Sequence, residues 1–309
     1  MGLSILFTYL CTLMMQLSIL IPVYNSDCTT LVATLCQQAR SLNLCFEVIV
    51  ADDGSKLQDI KAANRAITQW EEVDYIELPH NIGRAAIRNL LAERSHAPQL
   101  LFLDCDVVAG HELLSNYLRY LDGDVVCGGI AIGGGPELWQ HNLRYRYEKH
   151  CEPQHTSEQR QLRPYQSFRT TNFMVRREVM QRHPFDERIT NYGYEDVLFG
   201  KALKASKIRI THIENHAGID DYEDNATFLL TTEEALRTLC IFSNELRGYN
   251  RLLTTVDILR HKCPLRLLAL VHRLLRWPMR RCLLRYRCPL TVYQFYRLTY
   301  FTWLLQKQQ

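Results

Sequence analysis

The sequence lacks the cysteine spacing of a zinc-binding or disulfide-bonded domain. Its 11 cysteines include no C-x-x-C pair, and their number is odd. Structural zinc sites use closely spaced cysteine pairs, and disulfide frameworks use an even set of cysteines. The pattern therefore argues against both and indicates a protein that folds in a reducing compartment.

Long hydrophobic runs are also scarce, and no stretch after residue 16 is apolar and long enough to cross a bilayer. Residues 1–15 are apolar, but they are short for a membrane span and have neither a basic start nor a small-residue cleavage site. We interpret residues 1–16 as a short N-terminal extension. Met14 or Met15 is predicted to be the native start, in preference to a signal peptide.

Acidic residues are nearly absent from the C-terminal segment. Residues 251–309 carry 12 lysines and arginines against 1 aspartate, whereas residues 1–250 carry 24 against 32 acidic residues. Arginine recurs every seven residues from Arg266 to Arg287, opposite a leucine-rich face, and Pro278 is expected to kink or split this helix. A basic amphipathic helix predicts docking on an anionic membrane surface, and the alternative is packing on the acidic domain. No motif for reading nucleic acid accompanies the charge, so we expect no nucleic-acid partner.

Between these ends, strand patterns alternate with helix patterns. The predicted strands are residues 17–23, 45–51, 73–78, 100–104, 124–132, 172–179 and 207–213. The predicted helices are residues 30–42, 57–70, 83–95, 112–121, 194–206 and 231–250. This alternation predicts an α/β domain with a mostly parallel sheet and helices on both faces. We assign the domain to residues 17–250, followed by a basic helical extension over 251–309.

Acidic residues follow the predicted strands at the edge where such sheets bind ligands. Asp104 and Asp106, in LFLDCD, are two residues apart at a strand end, so their side chains are able to converge. Converging carboxylates repel unless a proton or cation lies between them, and Mg²⁺ or Mn²⁺ carrying a diphosphate suits such a pair. The alternative is a solvated turn. Asp52 and Asp53, in VIVADDGS, either form a tight turn or accept hydrogen bonds from a base or ribose.

Three further motifs admit two interpretations each. In NIGRAAIRN, Arg84 lies in the first turn of a helix, where a bound phosphate would offset the unfavourable dipole; the alternative is a surface arginine. In NYGYEDVLFG, the adjacent Glu195 and Asp196 either cap a helix or supply a general base. In THIENHAGID, His212 and His216 are either metal ligands or structural histidines.

Taken in order, six segments of the chain resemble one known family. The segments are SILIPVYN, VIVADDGS, NIGRAAIRN, LFLDCD, NFMVRRE and YGYEDVLFGKAL. They resemble the nucleotide-diphospho-sugar glycosyltransferases of family 2, and the similarity covers roughly residues 17–240. The resemblance implies a Rossmann-like sheet of the GT-A type. It also implies metal-dependent transfer of a sugar from a UDP-sugar to a hydroxyl of a glycan or lipid-linked saccharide acceptor, with inversion by a single displacement.

The resemblance also implies a role for each motif residue. The donor-binding residues would be Pro22, Tyr24, Asp52, Asp53, Asn81, Gly83, Arg84, Arg88 and Asp104. The ligands of the Mn²⁺ or Mg²⁺ ion would be Asp106, Asp104 and His216, with His212 as the rival histidine. Asp196 would be the catalytic base and Glu195 would bind the acceptor, while residues 169–172 would shape the sugar and acceptor site.

Two other functions remain as alternatives. A sugar nucleotidyltransferase would need a basic, glycine-rich loop after the first strand, where this chain has PVYNSDC. A degenerate transferase domain could act as a scaffold at the membrane surface, although the intact D-x-D and E-D pairs argue against that function. We expect a cytoplasmic protein at the inner face of the membrane, in the synthesis of a cell-surface polysaccharide.

Overall fold

A seven-stranded sheet forms the centre of the computed structural model, which describes residues 15–262, 264–285 and 287–308. The expectations about residues 1–14 lie outside these ranges. The strand order is β3-β2-β1-β4-β8-β6-β9, and only β8 is antiparallel to its neighbours. Its strands are β1 Leu17–Val23, β2 Phe46–Asp52, β3 Val73–Glu77, β4 Gln99–Leu103, β6 Val125–Cys127, β8 Asn172–Arg176 and β9 Ile210–His212.

A second, smaller sheet lies beside the first. Its strands, in the order β5-β10-β7, are β5 Val108–Ala109, β7 Ile130–Ile132 and β10 Ala217–Ile219. The sequence predicted one strand over 124–132, but Gly128 and Gly129 divide it into β6 and β7. Gly129 has φ +85°, and a Cβ on Gly128 would lie 2.3 Å from the carbonyl oxygen of Asn215. Glycine therefore permits the chain to leave the central sheet here.

Helices cover both faces of the central sheet. They are α1 Thr29–Ser41, α2 Gln58–Arg65, α3 Arg84–Arg94, α4 Leu113–Leu118, α5 Pro136–His141, α6 Leu143–Cys151, α7 Ser157–Gln161, α8 Arg177–Arg182, α9 Glu195–Ala205, α10 Asn225–Ile241, α11 Arg251–Arg260, α12 Leu265–Leu283 and α13 Leu290–Lys307. Ile19 and Ile21 of β1 pack with α1 on one face, whereas Leu20 packs with α3 and α9 on the other. Strands buried on both faces explain their continuous apolar sequence. The predicted α/β fold is confirmed.

Two helix predictions differ from the structure. The helix expected over 231–250 begins at Asn225, because Asp224 caps it by accepting hydrogen bonds from the backbone N–H groups of Ala226 and Thr227. Thr232, near the expected start, lies within the helix, and its hydroxyl group donates to the carbonyl of Phe228. Pro278 does not split α12, which continues through it from Leu265 to Leu283.

The C-terminal helices share a hydrophobic core with the sheet domain. Tyr300 and Phe301 of α13 pack with Leu236 and Leu239 of α10. Helix α12 packs along α13, and a disulfide joins Cys282 of α12 to Cys288, which lies just before α13. None of the helices in the described ranges combines the length and apolar character needed to cross a membrane.

Candidate active site

Polar residues at the ends of β1 and β2 form one border of the candidate site. Asp52 is buried and accepts hydrogen bonds from the Ser55 backbone N–H and the Tyr75 hydroxyl, at 2.6 and 3.0 Å. Asp53 accepts from the backbone N–H groups of Ile82 and Gly83, at 2.6 and 3.1 Å. Burial raises the pKa of the Asp53 carboxyl, against the effect of these two hydrogen bonds. Both predicted donor-binding aspartates therefore hold the loops that follow β2 and β3.

The loop after β2 and the loop after β3 approach each other closely at Gly54. Gly54 has φ +72°, and a Cβ there would lie 2.5 Å from the carbonyl carbon of His80. Any other residue would force the loops apart. Tyr24 and Asn81, which follow β1 and β3, are exposed, and Pro22 is half-buried at the end of β1.

Two arginines of α3 form ion pairs with two carboxylates from other elements. Arg88, which is 1% exposed, donates from Nη2 to Asp104 Oδ1 at 2.5 Å and from Nη1 to the carbonyl oxygen of Arg84 at 3.0 Å. Arg84 donates from Nε to Glu195 Oε1 at 3.1 Å and from Nη2 to Asp104 Oδ2 at 3.5 Å. The structure thus brings together four residues that the sequence placed in three separate motifs.

The two aspartates of the D-x-D motif have different electrostatic environments. Burial alone would raise the pKa of Asp104, but the Arg88 and Arg84 guanidinium groups outweigh it and lower that pKa. Asp106 is exposed as a residue and has no ion-pair partner in the part of the chain that the structure describes. Its pKa is raised, because its carboxyl is poorly solvated and lies near Asp104. Asp106 is therefore the member of the pair whose charge is left for a ligand.

The predicted three-ligand metal set is not assembled. Within the described ranges, no group of three or more His, Cys, Asp and Glu side chains is placed to hold a metal ion. Ala217 lies opposite Ala109 in antiparallel register, so His216 lies next to Gly110, four residues along the chain from Asp106. His216 pairs with Glu214 instead, at 2.9 Å.

The rival histidine is part of the structural core. His212 is buried, its Nδ1 accepts from Arg160 Nη1 at 2.9 Å, and its Nε2 donates to the carbonyl of Pro164 at 2.9 Å. Burial lowers its pKa to about 4. Both ring nitrogens are therefore occupied, and we do not assign His212 to a metal.

One or two carboxylates nevertheless suit a cation that arrives with a diphosphate. Mg²⁺ sites of this type use one or two protein carboxylates together with substrate phosphates and water, without a full protein cage. Asp106, with Asp104 beside it, fits that donor set because its oxygens are not used in an ion pair among the described residues. The residues present therefore fit the expected cation without His216.

The acidic pair at the start of α9 divides between two environments. Glu195 is buried, at 4% exposure, and its carboxylate faces Arg84. Asp196 is half-buried, accepts a hydrogen bond from the Val197 backbone N–H at 2.7 Å, and has no ion pair in the described ranges. Burial, and then the neighbouring Glu195, raise the pKa of Asp196 to about 6.

The structure adds two residues that the sequence analysis missed. Tyr192 covers the Arg84 guanidinium, whose central carbon lies 5.1 Å from the ring centroid. Arg144 of α6 pairs with Glu223 and acts electrostatically on Asp106. Arg144 lies outside the six motif segments, so the sequence did not single it out.

The family model described as Glycosyl transferase family 2 matches residues 18–183. An uncharacterized glycosyltransferase of Haemophilus influenzae is 32% identical over 106 residues, covering 34% of this chain and 42% of the relative. The chondroitin synthase of Pasteurella multocida is 26% identical over 227 residues, covering 61% of this chain and 23% of the relative. The chain thus spans less than half the length of both relatives.

A solved structure has the same fold. The mannosyltransferase PcManGT from Pyrobaculum calidifontis, solved in complex with GDP-Man and Mn²⁺, superposes with a TM-score of 0.53 at 13% identity, covering 99% of this chain and 94% of that one. Residues 1–349 of S. aureus TarS give a TM-score of 0.49 at 17% identity, covering 95% and 92%. The GT-A-type fold predicted from the resemblance is confirmed. Since the family model also matches more than half of the sequence, including the D-x-D strand, this chain belongs to glycosyl transferase family 2.

Proposed function

We propose that this protein transfers a sugar from a UDP-sugar to a hydroxyl of a glycan or lipid-linked saccharide acceptor. The observation that carries the proposal is Asp196, a half-buried carboxylate without an ion pair in the described residues, next to the Arg84–Asp104 cluster. A general base needs a pKa near the working pH, and the raised pKa of Asp196 meets that need. UDP is proposed as the nucleotide from the family resemblance.

In the proposed reaction, Asp196 accepts the proton of the acceptor hydroxyl while that oxygen attacks the anomeric carbon. The bond from that carbon to the diphosphate breaks, and the negative charge moves to the departing diphosphate. Arg84 would donate hydrogen bonds to this group, which is where charge develops in the transition state. A single displacement of this kind inverts the anomeric configuration.

Asp106, with Asp104 beside it, would hold the divalent cation, Mn²⁺ or Mg²⁺. When bound, the cation would neutralise charge on the diphosphate. Arg84 and Arg88 keep Asp104 ionised and fixed, since they lower its pKa despite its burial. Asp106 is exposed and Asp104 is half-buried, so Asp106 is the more accessible of the two carboxylates.

A nucleotide-sugar panel tests the proposal directly. The full chain would be incubated with UDP- and GDP-sugars, with Mn²⁺, with Mg²⁺ and with EDTA, and release of the nucleoside diphosphate would be measured. We expect metal-dependent release from at least one UDP-sugar. Binding without any turnover would favour the degenerate scaffold, and formation of a nucleotide-sugar from a sugar phosphate would favour the nucleotidyltransferase.

We also propose that α12 docks on the anionic inner face of the membrane, with the enzyme on the cytoplasmic side. One face of α12 is buried against α13, whereas its outer face exposes a stripe of large apolar side chains. The stripe consists of Leu267, Leu270, Leu274, Trp277 and Leu284. Arginines without an ion pair in the described ranges lie beside or within this stripe: Arg266, Arg273, Arg276, Arg281 and Arg285. Apolar side chains bordered by cations suit an interface with anionic lipid.

A further inference from the structure

The Glu195 carboxylate faces the two arginines of α3. Its side chain is buried at the start of α9, and Oε1 accepts from Arg84 Nε at 3.1 Å. Arg88 Nη1 is farther away, at 3.9 Å, and Arg88 already has Asp104 as its close partner. The principal partner of Glu195 is therefore Arg84.

Arg84 is the accessible member of this cluster. Its side chain is 40% exposed, compared with 1% for Arg88 and 6% for Glu195. Glu195 holds Nε and Asp104 holds Nη2, while Nη1 has no hydrogen-bond partner among the described residues. The ring of Tyr192 covers one face of the guanidinium. These contacts fix the plane of the group and leave one edge free to donate.

A fixed guanidinium plane matters because arginine binds phosphate through a planar fork of N–H groups. A free Arg84 side chain would lose rotamer freedom on meeting a ligand, and a side chain already held loses less. Asp104 restrains Arg84 only weakly, because their contact is 3.5 Å long and Asp104 also pairs with Arg88. Glu195 makes the shorter contact with Arg84.

We propose that Glu195 is a positioning residue for the donor, which acts through Arg84 by orienting its free edge toward the diphosphate. This inference rests on the proposed function. It replaces the expectation that Glu195 binds the acceptor. It also gives the adjacent residues of the E-D pair separate tasks, with Glu195 serving the donor and Asp196 the acceptor.

A double-mutant cycle on UDP affinity tests the proposal. The variants are Glu195→Gln, Arg84→Met and the two combined, with Glu93→Gln as a matched control, because Glu93 is exposed at the far end of α3. UDP binding to the full chain would be measured by calorimetry in Mn²⁺. We expect each single change to weaken binding by about tenfold, and the combined variant to bind no more weakly than Arg84→Met. Glu93→Gln should match the wild type.

The pH profile supplies a second readout, which separates loss of the Glu195 charge from a general loss of folding. The charged groups acting on Asp196 are Glu195, Arg169 and Arg84. Because the negative charge of Glu195 raises the pKa of Asp196, Glu195→Gln should move the acid limb of kcat to lower pH. Arg84→Met should move that limb in the opposite direction.

Separate results would overturn this inference and the proposed function. If Glu195→Gln weakens UDP binding by the same factor in the Arg84→Met background, or raises only the KM of the acceptor, Glu195 does not act through Arg84. A wild-type chain that binds neither UDP nor GDP would overturn the proposed function, and this inference with it. Should Glu195→Gln fail to fold, Glu195→Asp keeps the charge at shorter reach and should give an intermediate loss of UDP affinity.

Discussion

Arg88 Nη2 lies 2.5 Å from Asp104 Oδ1, and the guanidinium that makes this contact is buried. The first aspartate of the D-x-D motif is therefore neutralised within the protein. Arg88 also lies 3.9 Å from Glu195, so one buried cation sits between two carboxylates. This relationship makes Arg88 a structural support of the site and leaves Asp106 for the ligand.

We expect Arg88→Leu to lower the free energy of unfolding by about 3–5 kcal/mol, because it leaves buried carboxylates without their cation. Urea denaturation followed by circular dichroism would measure the change. Arg94→Leu, on the exposed end of the same helix, should change stability by less than about 0.5 kcal/mol. Equal effects of the two substitutions would contradict the role of Arg88.

Asp106→Asn should raise the Mn²⁺ concentration needed for half-maximal donor turnover more than any other single change at the site. Loss of an outer partner of a metal ligand typically costs about 10–100-fold in affinity, and loss of a ligand should cost at least as much. A Mn²⁺ titration of UDP release would measure the shift. Asp59→Asn, at an exposed site on α2, is the charge-matched control. An unchanged titration for Asp106→Asn would exclude it as the ligand.

Asp196→Asn should lower kcat for sugar transfer by about 10²–10⁴-fold, the usual contribution of a general base. UDP affinity should remain near that of the wild type, since the donor-side contacts come from Arg84 and Asp106. Steady-state transfer and calorimetric UDP binding would separate the two effects. Normal transfer by Asp196→Asn would remove this residue from the mechanism.

The rate of transfer should rise with pH across an apparent pKa of about 6. Burial and Glu195 favour the protonated form of Asp196, and only the ionised form accepts the proton of the acceptor. Activity is therefore lost as pH falls through that pKa, and not as pH rises through it. A kcat–pH profile with saturating donor would measure the limb. A flat profile between pH values of about 5 and 8 would contradict the assignment.

Three substitutions on the outer face of α12, Leu270→Ser, Leu274→Ser and Trp277→Ser, should together abolish flotation with vesicles of phosphatidylserine and phosphatidylcholine. Leu274 and Trp277 are 67% and 68% exposed, so their replacement should leave the fold intact. Vesicles of phosphatidylcholine alone should bind weakly, because they lack charge for the flanking arginines.

Point substitutions are preferable to removal of residues 251–309 in this experiment. Phe301 of α13 is fully buried in the core that α13 shares with α10, so truncation would expose that core. Ile208→Ser changes a partly buried residue outside the C-terminal helices. It is the control that shows whether a general loss of folding alters flotation. Flotation that survives the triple substitution would count against docking through α12.

Much of the fold followed from patterns within short segments. The apolar runs of β1, β2 and β4 and the helices between them could be predicted because strand and helix periodicity depend on neighbours two to four residues apart. The bend at Gly128 and Gly129 could not be predicted, since it depends on the carbonyl oxygen of Asn215, which approaches from a distant loop.

The candidate site shows the same division between local and distant information. The sequence by itself determined which carboxylates and arginines follow the strands, because the ends of parallel strands meet at one edge. Only the tertiary structure decided their partners. Arg84 and Glu195 are separated by 111 residues, and the antiparallel register of β5 and β10 carries His216 away from Asp106. Side-chain pairing across such separations depends on the packing of several elements at once, whereas a motif records only the backbone position from which each side chain starts.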